Sequence, residues 1–461
     1  MVRTDKRGTT VFRSRLKLFT GLLTSLIFLL PYERIPSIPV LVFGASIDLR
    51  LSFFVAIALS LLVAWSITFS SSRLTIKLHT YHYWLMSFFF VYLLSALLST
   101  DLKRALMVWT FTAFTAVTGL AVSFIWQHRD SVAIRKGLWI TTWIVLIFGF
   151  YQYFGDVMGL STNWTGLREL YTKQIFGFPR IQSTGLEPLF YGSFLLIPFF
   201  YFSSRFLSSR EERPIFLVAI IVQLVLTVSR GALIGGVCGL LLLLGLYARR
   251  SLIQQKVGLV GIVILGGALA LLLTNVNNIK LFGGSSDQTH GTAAPTAVID
   301  QATNFNAQDD RVRNRTLAWE AFQDHPWLGI GPGNFSDYAK ERYDGYQSIS
   351  GAIVVNNEPM ELLAESGLLG LLTFFGFVVI VFSALLRIVL EGGDNLSDWS
   401  YSLLAYFIAL AIQYQTFSTL YIVHVWVTLG IAMGIVSMSS RTIKTSENKK
   451  LPLQYPENLS S

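Results

Sequence analysis

The sequence contains little charge and almost no cysteine. Only 14% of its 461 residues are Asp, Glu, Lys or Arg, whereas soluble domains carry about 25%, so the composition excludes an ordinary soluble globular enzyme. The single cysteine, Cys238, lies in an apolar run, which excludes a disulfide or a cysteine-based metal site within the chain. Intrinsic disorder is excluded as well, because 52% of the residues are hydrophobic.

What the sequence has instead is long apolar runs. About 20 apolar residues span the core of a bilayer as a helix, and the runs predict about twelve spans. Their approximate bounds are 16–31, 50–69, 81–99, 105–126, 137–154, 186–203, 214–229, 231–248, 257–275, 366–386, 399–417 and 419–438. The sequence therefore predicts an all-α integral membrane protein, with a single polytopic domain over residues 1–461.

The basic residues indicate how this chain is oriented. If the N-terminus lies inside, 22 of the 36 Lys and Arg residues fall on the inner side, and the short inner loops are basic at nearly every turn. An excess of Lys and Arg in short loops is typical of the cytoplasmic side. We therefore expect both termini in the cytoplasm, and we interpret the net charge of +9 as an orientation signal that implies no nucleic-acid partner.

The largest segment predicted on the outer face is 276–365, between the ninth and tenth spans. Residues 283–310 are rich in Ser, Thr, Ala, Gln and Asn, which predicts a flexible insertion. After it, Val312, Arg315, Trp319 and Phe322 recur at helical spacing and predict a helix with these residues on its packing face. Three glycines and two prolines within 325–335 then predict a turn.

Arginines near the outer ends of the predicted helices are candidates for an anion site. Arg230 joins two spans with almost no loop, where it either ends a helix or clamps an anion, and Gly231 is expected to let a large headgroup approach the backbone. Arg180 lies in a short polar loop before the sixth span, either as a solvated charge or as a second anion ligand. Arg315 is either a further ligand or the partner of an acid in its own loop.

A polar segment before the tenth span is the candidate catalytic region. Either Asn356 or Asn357 is predicted to cap a helix that starts near Pro359, which places Glu358 and Glu361 in the first turn. A structural role in capping the helix is enough to explain the presence of Asn356 and Glu358, with no catalytic role. The alternative is a general base at an external active site.

These motifs, in this order, resemble the O-antigen ligase and O-antigen polymerase family. The resemblance rests on the pieces Ser229-Arg230-Gly231-Ala232-Leu233, Arg315 with Trp319 and the 325–335 turn, and Asn356-Asn357 with Gly367 and Gly370. It extends over essentially the whole chain. It implies a glycosyltransferase of the bacterial inner (plasma) membrane, active at the outer (periplasmic) face, with a fold similar to the GT-C membrane glycosyltransferases and with no metal or other cofactor.

The resemblance also implies the substrates. The donor is a glycan on undecaprenyl diphosphate, the acceptor is a glycan or lipid-glycan, and other polysaccharide-assembly proteins are possible partners beside the membrane lipid. By the same resemblance, Arg180, Arg230 and Arg315 bind the diphosphate. Guanidinium groups suit a dianionic leaving group, because they bind phosphate oxygens in pairs and keep their charge. We expect inversion at the anomeric carbon.

One residue departs from the family pattern. The family's ligases have a histidine followed by Asn, Ser or Gln, and a glycine after nine more residues, whereas this chain has Asn356, Asn357 and Gly367. Asparagine cannot take a proton near neutral pH. The remaining readings are that Glu358 or Glu361 is the base, or that Asn356 only orients the acceptor. The departure favours a polymerase or an exopolysaccharide-type transferase over a ligase.

Two other classes of function compete with a transferase. A transporter or flippase for lipid-linked glycans needs an ion-coupling relay or a charge-lined path near the middle of the membrane. The predicted spans carry no Asp or Glu at mid-span, which disfavours this class. A non-catalytic scaffold in an envelope complex is the third possibility.

Overall fold

The computed structural model describes residues 6–34, 37–42, 45–69, 78–126, 131–209, 213–275, 309–342, 353–391, 398–418 and 420–450. The helices are α1 (Lys6–Leu29), α2 (Leu51–Phe69), α3 (Thr80–Leu97), α4 (Leu102–Trp126), α5 (Ser131–Val157), α6 (Thr162–Thr165), α7 (Lys173–Phe176), α8 (Pro188–Leu207), α9 (Pro214–Leu226), α10 (Arg230–Leu246), α11 (Ile253–Asn275), α12 (Asp309–Asp324), α13 (Phe335–Arg342), α14 (Glu358–Glu391), α15 (Asp398–Gln413) and α16 (Val423–Lys450), with a 3₁₀ turn at Glu169–Tyr171. The predicted flexible insertion lies outside the described residues, except for its last two residues, which begin α12.

Each predicted span coincides with a helix, but the helices differ in how well they suit a membrane. Within the described residues, α2, α4, α5, α11 and α14 are long and apolar enough to cross one. Four shorter helices, α1 over Lys17–Leu29, α9, α10 and the first half of α16, are also apolar. The helical class is therefore confirmed, whereas the count of twelve spans stays a prediction.

The helices α8 and α15 lie inside the bundle. Nearly every side chain of both is buried. Their hydroxyl groups bond to neighbouring helices: Ser204 contacts the Tyr247 hydroxyl at 2.8 Å and donates to the Asp398 carbonyl at 3.1 Å. Helices surrounded by other helices can use such interhelical bonds, since they meet no lipid.

A stripe of glycines brings α10 against α15. A Cβ on Gly235 would lie 2.4 Å from the Ala409 carbonyl oxygen, and one on Gly239 would lie 2.6 Å from that of Ala405. Gly231 continues the stripe one turn earlier. Small residues at this spacing let two helix backbones approach closely, and they fix the start of α10 beside the end of α15.

One β-hairpin departs from the all-α prediction. Strands β1 (Ser37–Val42) and β2 (Ala45–Arg50) pair antiparallel, from Ser37 opposite Arg50 to Val42 opposite Ala45. Proline at 36 and 39 disfavours a helix in this connection, and the alternating apolar residues 38, 40 and 42 suit a strand.

The helix α14 is broken near its start. Gly367 has φ 65° and ψ −169°, so the residues before it form a separate short helix and the apolar stretch continues from Leu368. This agrees with the predicted start of the tenth span. The short helix, α12 and α13 share a small apolar core of their own: Leu317, Ala318, Ala321, Ile330, Phe335, Ala339, Ile353, Val355 and Ala364.

Candidate anion-binding site

A tight turn between α9 and α10 positions Arg230. The Thr227 hydroxyl donates to the Leu224 carbonyl at 2.7 Å and accepts the Ser229 N–H at 3.2 Å. Between them Val228 takes a φ of 49°, which a β-branched residue rarely adopts. The turn makes Ser229 the N-cap of α10 and Arg230 its first residue, so the arginine stands at the positive end of the helix dipole.

The loop before α8 brings Arg180 to the same turn. Its Nε donates to the Thr227 carbonyl at 2.7 Å, and its backbone N–H donates to the Tyr171 carbonyl at 2.8 Å. The guanidinium also lies over the rings of Tyr171 and Phe176, at 5.4 and 5.5 Å from their centroids. Because backbone and aromatic contacts hold this side chain, its terminal nitrogens need no acid to fix their position.

The two arginines and a third, Arg311 of α12, line one cavity of about 70 Å³. We call these three residues the arginine pocket. The complete lining is Phe176, Arg180, Leu189, Val228, Ser229, Arg230, Arg311 and Thr416. A cavity of this size suits a small anionic group.

The electrostatics of the pocket favour an anion. Burial lowers the pKa of Arg180, and the neighbouring charges of Arg311 and Arg230 lower it further, whereas Tyr171 and Glu187 raise it. Burial, followed by the charge of Arg230, also lowers the pKa of Arg311. Like charges gathered in a desolvated place repel one another, and arginine does not relieve this by losing its proton.

No carboxylate in the described part of the chain forms an ion pair with Arg180 or Arg311. Glu187, the acid that acts on Arg180, is bonded to Arg168 at 3.3 Å instead. The Ser229 hydroxyl is buried beside the cavity and has no hydrogen-bond partner among the described residues. Cations and an unused hydroxyl around one small space are what an oxyanion requires.

Arg311, and not Arg315, lines the cavity. Arg315 does not line the cavity, and its Nη2 donates to the Gln415 carbonyl at 2.7 Å. The prediction that Val312 and Trp319 lie on the packing face of α12 is also wrong, because their side chains are 54% and 45% exposed. The buried face carries Leu317, Ala318 and Ala321. Sequence periodicity favoured the large apolar residues, and no signal in the sequence separated Arg311 from Arg315.

The expectation for Gly231 is also wrong. A Cβ at this position would lie 2.3 Å from the Thr416 hydroxyl and 3.0 Å from the Gln413 Cα. The space beside Gly231 is therefore filled by the residues that follow α15, and no headgroup can approach the backbone there. The glycine serves helix packing.

The turn after α15 connects the arginine pocket to the candidate catalytic segment. Thr416 lines the pocket, and the carbonyl of the preceding Gln415 accepts both Arg315 Nη2 and Asn357 Nδ2, the latter at 3.2 Å. The Glu358 N–H donates to the carbonyls at 414 and 417, at 2.9 and 3.1 Å. The start of α14 therefore packs on the pocket wall.

The predicted catalytic residues have distinct surroundings. Asn357, not Asn356, caps α14, since its Oδ1 accepts the Met360 N–H at 3.1 Å. Asn356 has a φ of 56° and is partly exposed. Glu358 is buried, and Glu361 Oε2 accepts the Val355 N–H at 3.0 Å. None of the three candidates, Asn356, Glu358 and Glu361, lines the arginine pocket itself.

The glycine-rich turn docks onto the break in α14 through its backbone. The Ile330 and Gly331 N–H groups donate to the carbonyls at 364 and 365, at 3.0 and 2.9 Å, and the Leu368 N–H donates to the Pro326 carbonyl at 2.8 Å. A Cβ on Gly329 or on Gly367 would lie 2.3 Å from backbone of the other segment. These two sequence motifs therefore form one structural joint. His325 is exposed, and its N–H donates to the Ala321 carbonyl at 3.0 Å.

A family model described as O-Antigen ligase matches residues 215–375. This part of the chain is O-antigen ligase-like. The matched region contains Arg230, Arg311 and Arg315, the glycine-rich turn and the candidate catalytic segment, so the resemblance drawn from the motifs is confirmed there. The match does not reach Arg180, although the resemblance was expected over essentially the whole chain. No curated protein matches the sequence.

The matched region suggests a role in polysaccharide assembly, and the apolar helices are long enough for a membrane protein. The described residues contain no group of three or more His, Cys, Asp or Glu side chains that would hold a metal ion. The residues at the site offer guanidinium groups, a hydroxyl and a helix N-terminus, with carboxylates nearby.

Proposed function

We propose that the protein is a glycosyltransferase of the bacterial inner membrane. It transfers a glycan from undecaprenyl diphosphate to a sugar acceptor at the outer face, without a metal and with inversion. It has twelve spans in a GT-C-like arrangement, with both termini in the cytoplasm. The observation that carries this proposal is the arginine pocket, in which Arg180, Arg230 and Arg311 line one small cavity beside the family-matched region.

The pocket suits the diphosphate of the donor. Its three guanidinium groups offer donors to the phosphate oxygens, and the Ser229 hydroxyl and the start of α10 add to them. In a partly shielded site such groups stabilise developing negative charge strongly. In this proposal the sugar and the prenyl chain lie outside the small cavity.

The reaction step follows from this arrangement. An acceptor hydroxyl attacks the anomeric carbon from the face opposite the diphosphate and loses its proton to a base. The new C–O bond forms while the C1–O bond to phosphorus breaks, and the diphosphate leaves with that electron pair. The arginine pocket neutralises the leaving group, so a metal is not required for this role.

The start of α14 suits the acceptor side. Glu358 and Glu361 are the candidate bases, and Asn356 orients the acceptor, because its amide cannot take the proton. Contacts to the 414–417 turn support this assignment, since the same turn carries Thr416 of the pocket wall. The absence of the family histidine favours a polymerase or an exopolysaccharide-type transferase.

The test is the reaction of purified protein with an oligosaccharide on undecaprenyl diphosphate. We expect a ladder of longer lipid-linked products, which identifies a polymerase, or one shifted band of an added acceptor, which identifies a ligase. Movement of intact donor across vesicle membranes with no new glycosidic bond would contradict the proposal and identify a flippase.

A further inference from the structure

The loop that carries Arg180 turns at a residue with an unusual backbone conformation. Ser183, which follows Arg180 closely in the chain, has a φ of 49°, and the Gly185 N–H closes the turn by donating to the Gln182 carbonyl at 3.0 Å. The left-handed region is unfavourable for a residue with a Cβ, and such a residue stays there only where its surroundings hold it. A neighbouring group must therefore fix the backbone of Ser183.

Gln152 of α5 holds Ser183 with both ends of its side-chain amide. Its Oε1 accepts the Ser183 N–H at 2.7 Å, and its Nε2 donates to the Ser183 carbonyl at 3.2 Å. The Ser183 hydroxyl adds a bond to the Val145 carbonyl of the same helix, at 2.7 Å. Gln152 and Ser183 are both buried. Because unmade hydrogen bonds are costly away from water, this pairing favours one backbone conformation of Ser183 over all others.

The short segment between Ser183 and Arg180 reaches the end of α9. The Ile181 N–H donates to the Leu226 carbonyl at 3.3 Å, and the Arg180 Nε donates to the next carbonyl, that of Thr227, at 2.7 Å. A change of φ at Ser183 would change the direction of this segment and move it relative to α9. The guanidinium would then lose its place in the arginine pocket, and small misplacements of a binding group are costly.

A second tie keeps the loop attached to the bundle without Gln152. The Thr184 carbonyl accepts the N–H groups of Glu33 and Arg34, at 3.2 and 3.1 Å, and the Thr184 hydroxyl donates to the Pro31 carbonyl at 2.8 Å. These bonds come from the turn after α1 and do not involve α5. Replacing Gln152 should therefore release the conformation of Ser183 while the rest of the loop stays docked.

We propose that Gln152 is a positioning residue for the arginine pocket: it holds Ser183 in the left-handed conformation and so keeps the Arg180 guanidinium at the cavity. Gln152 itself does not line the cavity. The inference rests on the proposed function, because the side chain that it positions is one that binds the diphosphate of the donor. It extends the machinery of the site to α5, outside the matched region 215–375.

The test measures the affinity of the full-length protein in detergent for undecaprenyl diphosphate and for undecaprenyl monophosphate. Gln152→Leu should weaken diphosphate binding by about tenfold, or about 1.4 kcal/mol, and should reduce the preference for the diphosphate. The matched control is Thr141→Val, about three turns earlier on α5. This variant also removes a bond to a backbone carbonyl of another segment, that of Phe28 at 2.6 Å, and it should keep the wild-type affinity.

Two double variants separate positioning from general damage. Glycine adopts a positive φ without steric cost, so Ser183→Gly added to Gln152→Leu should restore most of the diphosphate affinity. In the Arg180→Ala background, Gln152→Leu should cause no further loss, since residues that act through one another are not additive. Thermal unfolding of each variant shows that the protein compared is folded.

The outcomes distinguish this inference from the proposed function. A wild type that does not prefer the diphosphate overturns both. A wild type that prefers it overturns the inference alone if Gln152→Leu binds as tightly as Thr141→Val, if Ser183→Gly gives no rescue, or if Gln152→Leu still costs tenfold when Arg180 is alanine. Loss, rescue and non-additivity together support the positioning role.

Discussion

Arg180 and Arg205 lie before and at the end of the same helix, α8, and differ in what neutralises them. The helix has 20 residues, so its ends are about 30 Å apart at about 1.5 Å per residue. Arg205 forms an ion pair with Asp398 at 3.4 Å, and both side chains are largely buried. Arg180 shares a cavity with two other arginines and forms no ion pair with a carboxylate in the described part of the chain.

The contrast distinguishes an arginine paired within the protein from one whose charge is left for a ligand. Asp398 also accepts the Ser208 hydroxyl at 3.0 Å, so the acid joins the end of α8 to the start of α15. A buried pair of this kind is satisfied within the protein. In the described part of the chain, Arg180 and Arg311 of the arginine pocket have no such acid, and their charge is available to an anion from outside.

The largest expected effect is a loss of stability at the C-terminal end of α8, where Arg205 pairs with Asp398. Asp398→Ala leaves Arg205 buried without its acid, and breaking one partner of a buried pair typically costs about 3–5 kcal/mol. Because this end does not touch the pocket, donor affinity should be unchanged in the folded fraction. Thermal unfolding in detergent and donor binding check the two effects. Lower donor affinity without lower stability would break the comparison.

The next effect is on glycan transfer, at the arginine pocket. Arg230→Ala should reduce the rate by about 10²–10³-fold, the usual cost of removing one group that stabilises a developing anion. Thermal unfolding should change little. The matched control is Arg249→Ala, an exposed arginine in the turn that follows the far end of α10, which should transfer at the normal rate. Equal activity of the two variants would remove Arg230 from the site.

A third variant concerns the joint at Gly367 and again should act on stability. Gly367→Ala forces a Cβ into a φ and ψ region that essentially only glycine occupies, at a cost of about 1–3 kcal/mol. It also places the Cβ 2.3 Å from the Trp327 backbone. Gly177→Ala is the control, because Gly177 has a φ of 87° but open space around it. If both variants unfold alike, the docking contact contributes nothing.

The smallest effect separates the two arginines of α12. Arg311→Ala should reduce transfer by about tenfold, or about 1.4 kcal/mol, because this side chain lines the arginine pocket. Arg315→Ala should reduce it less, since Arg315 bonds to the Gln415 carbonyl and lies outside the cavity lining. Initial rates at saturating donor measure both. A larger loss for Arg315 than for Arg311 would restore the assignment made from the sequence.

The sequence predicted the helices well because long apolar runs have few alternatives in a membrane. The sequence also indicated Arg180 and Arg230 as candidate ligands. A charged residue next to an apolar run is energetically costly in a membrane, so such residues are few and are recognisable in the sequence. Arg311 could not be distinguished from Arg315, because both lie on one side of a helix whose docking depends on contacts distant in the chain. The roles of Gly231 and Gly367 likewise depend on which backbone faces them, and local sequence does not contain that information.

The central claim is that the arginine pocket binds a lipid-borne diphosphate. Its most direct test is the affinity of the purified protein for undecaprenyl diphosphate, measured by titration in detergent, with undecaprenyl monophosphate as the comparison ligand. We predict that the wild type prefers the diphosphate and that Arg180→Ala combined with Arg230→Ala abolishes the preference, whereas Arg249→Ala keeps it. Equal affinity of the wild type and the double variant for the diphosphate would contradict the account.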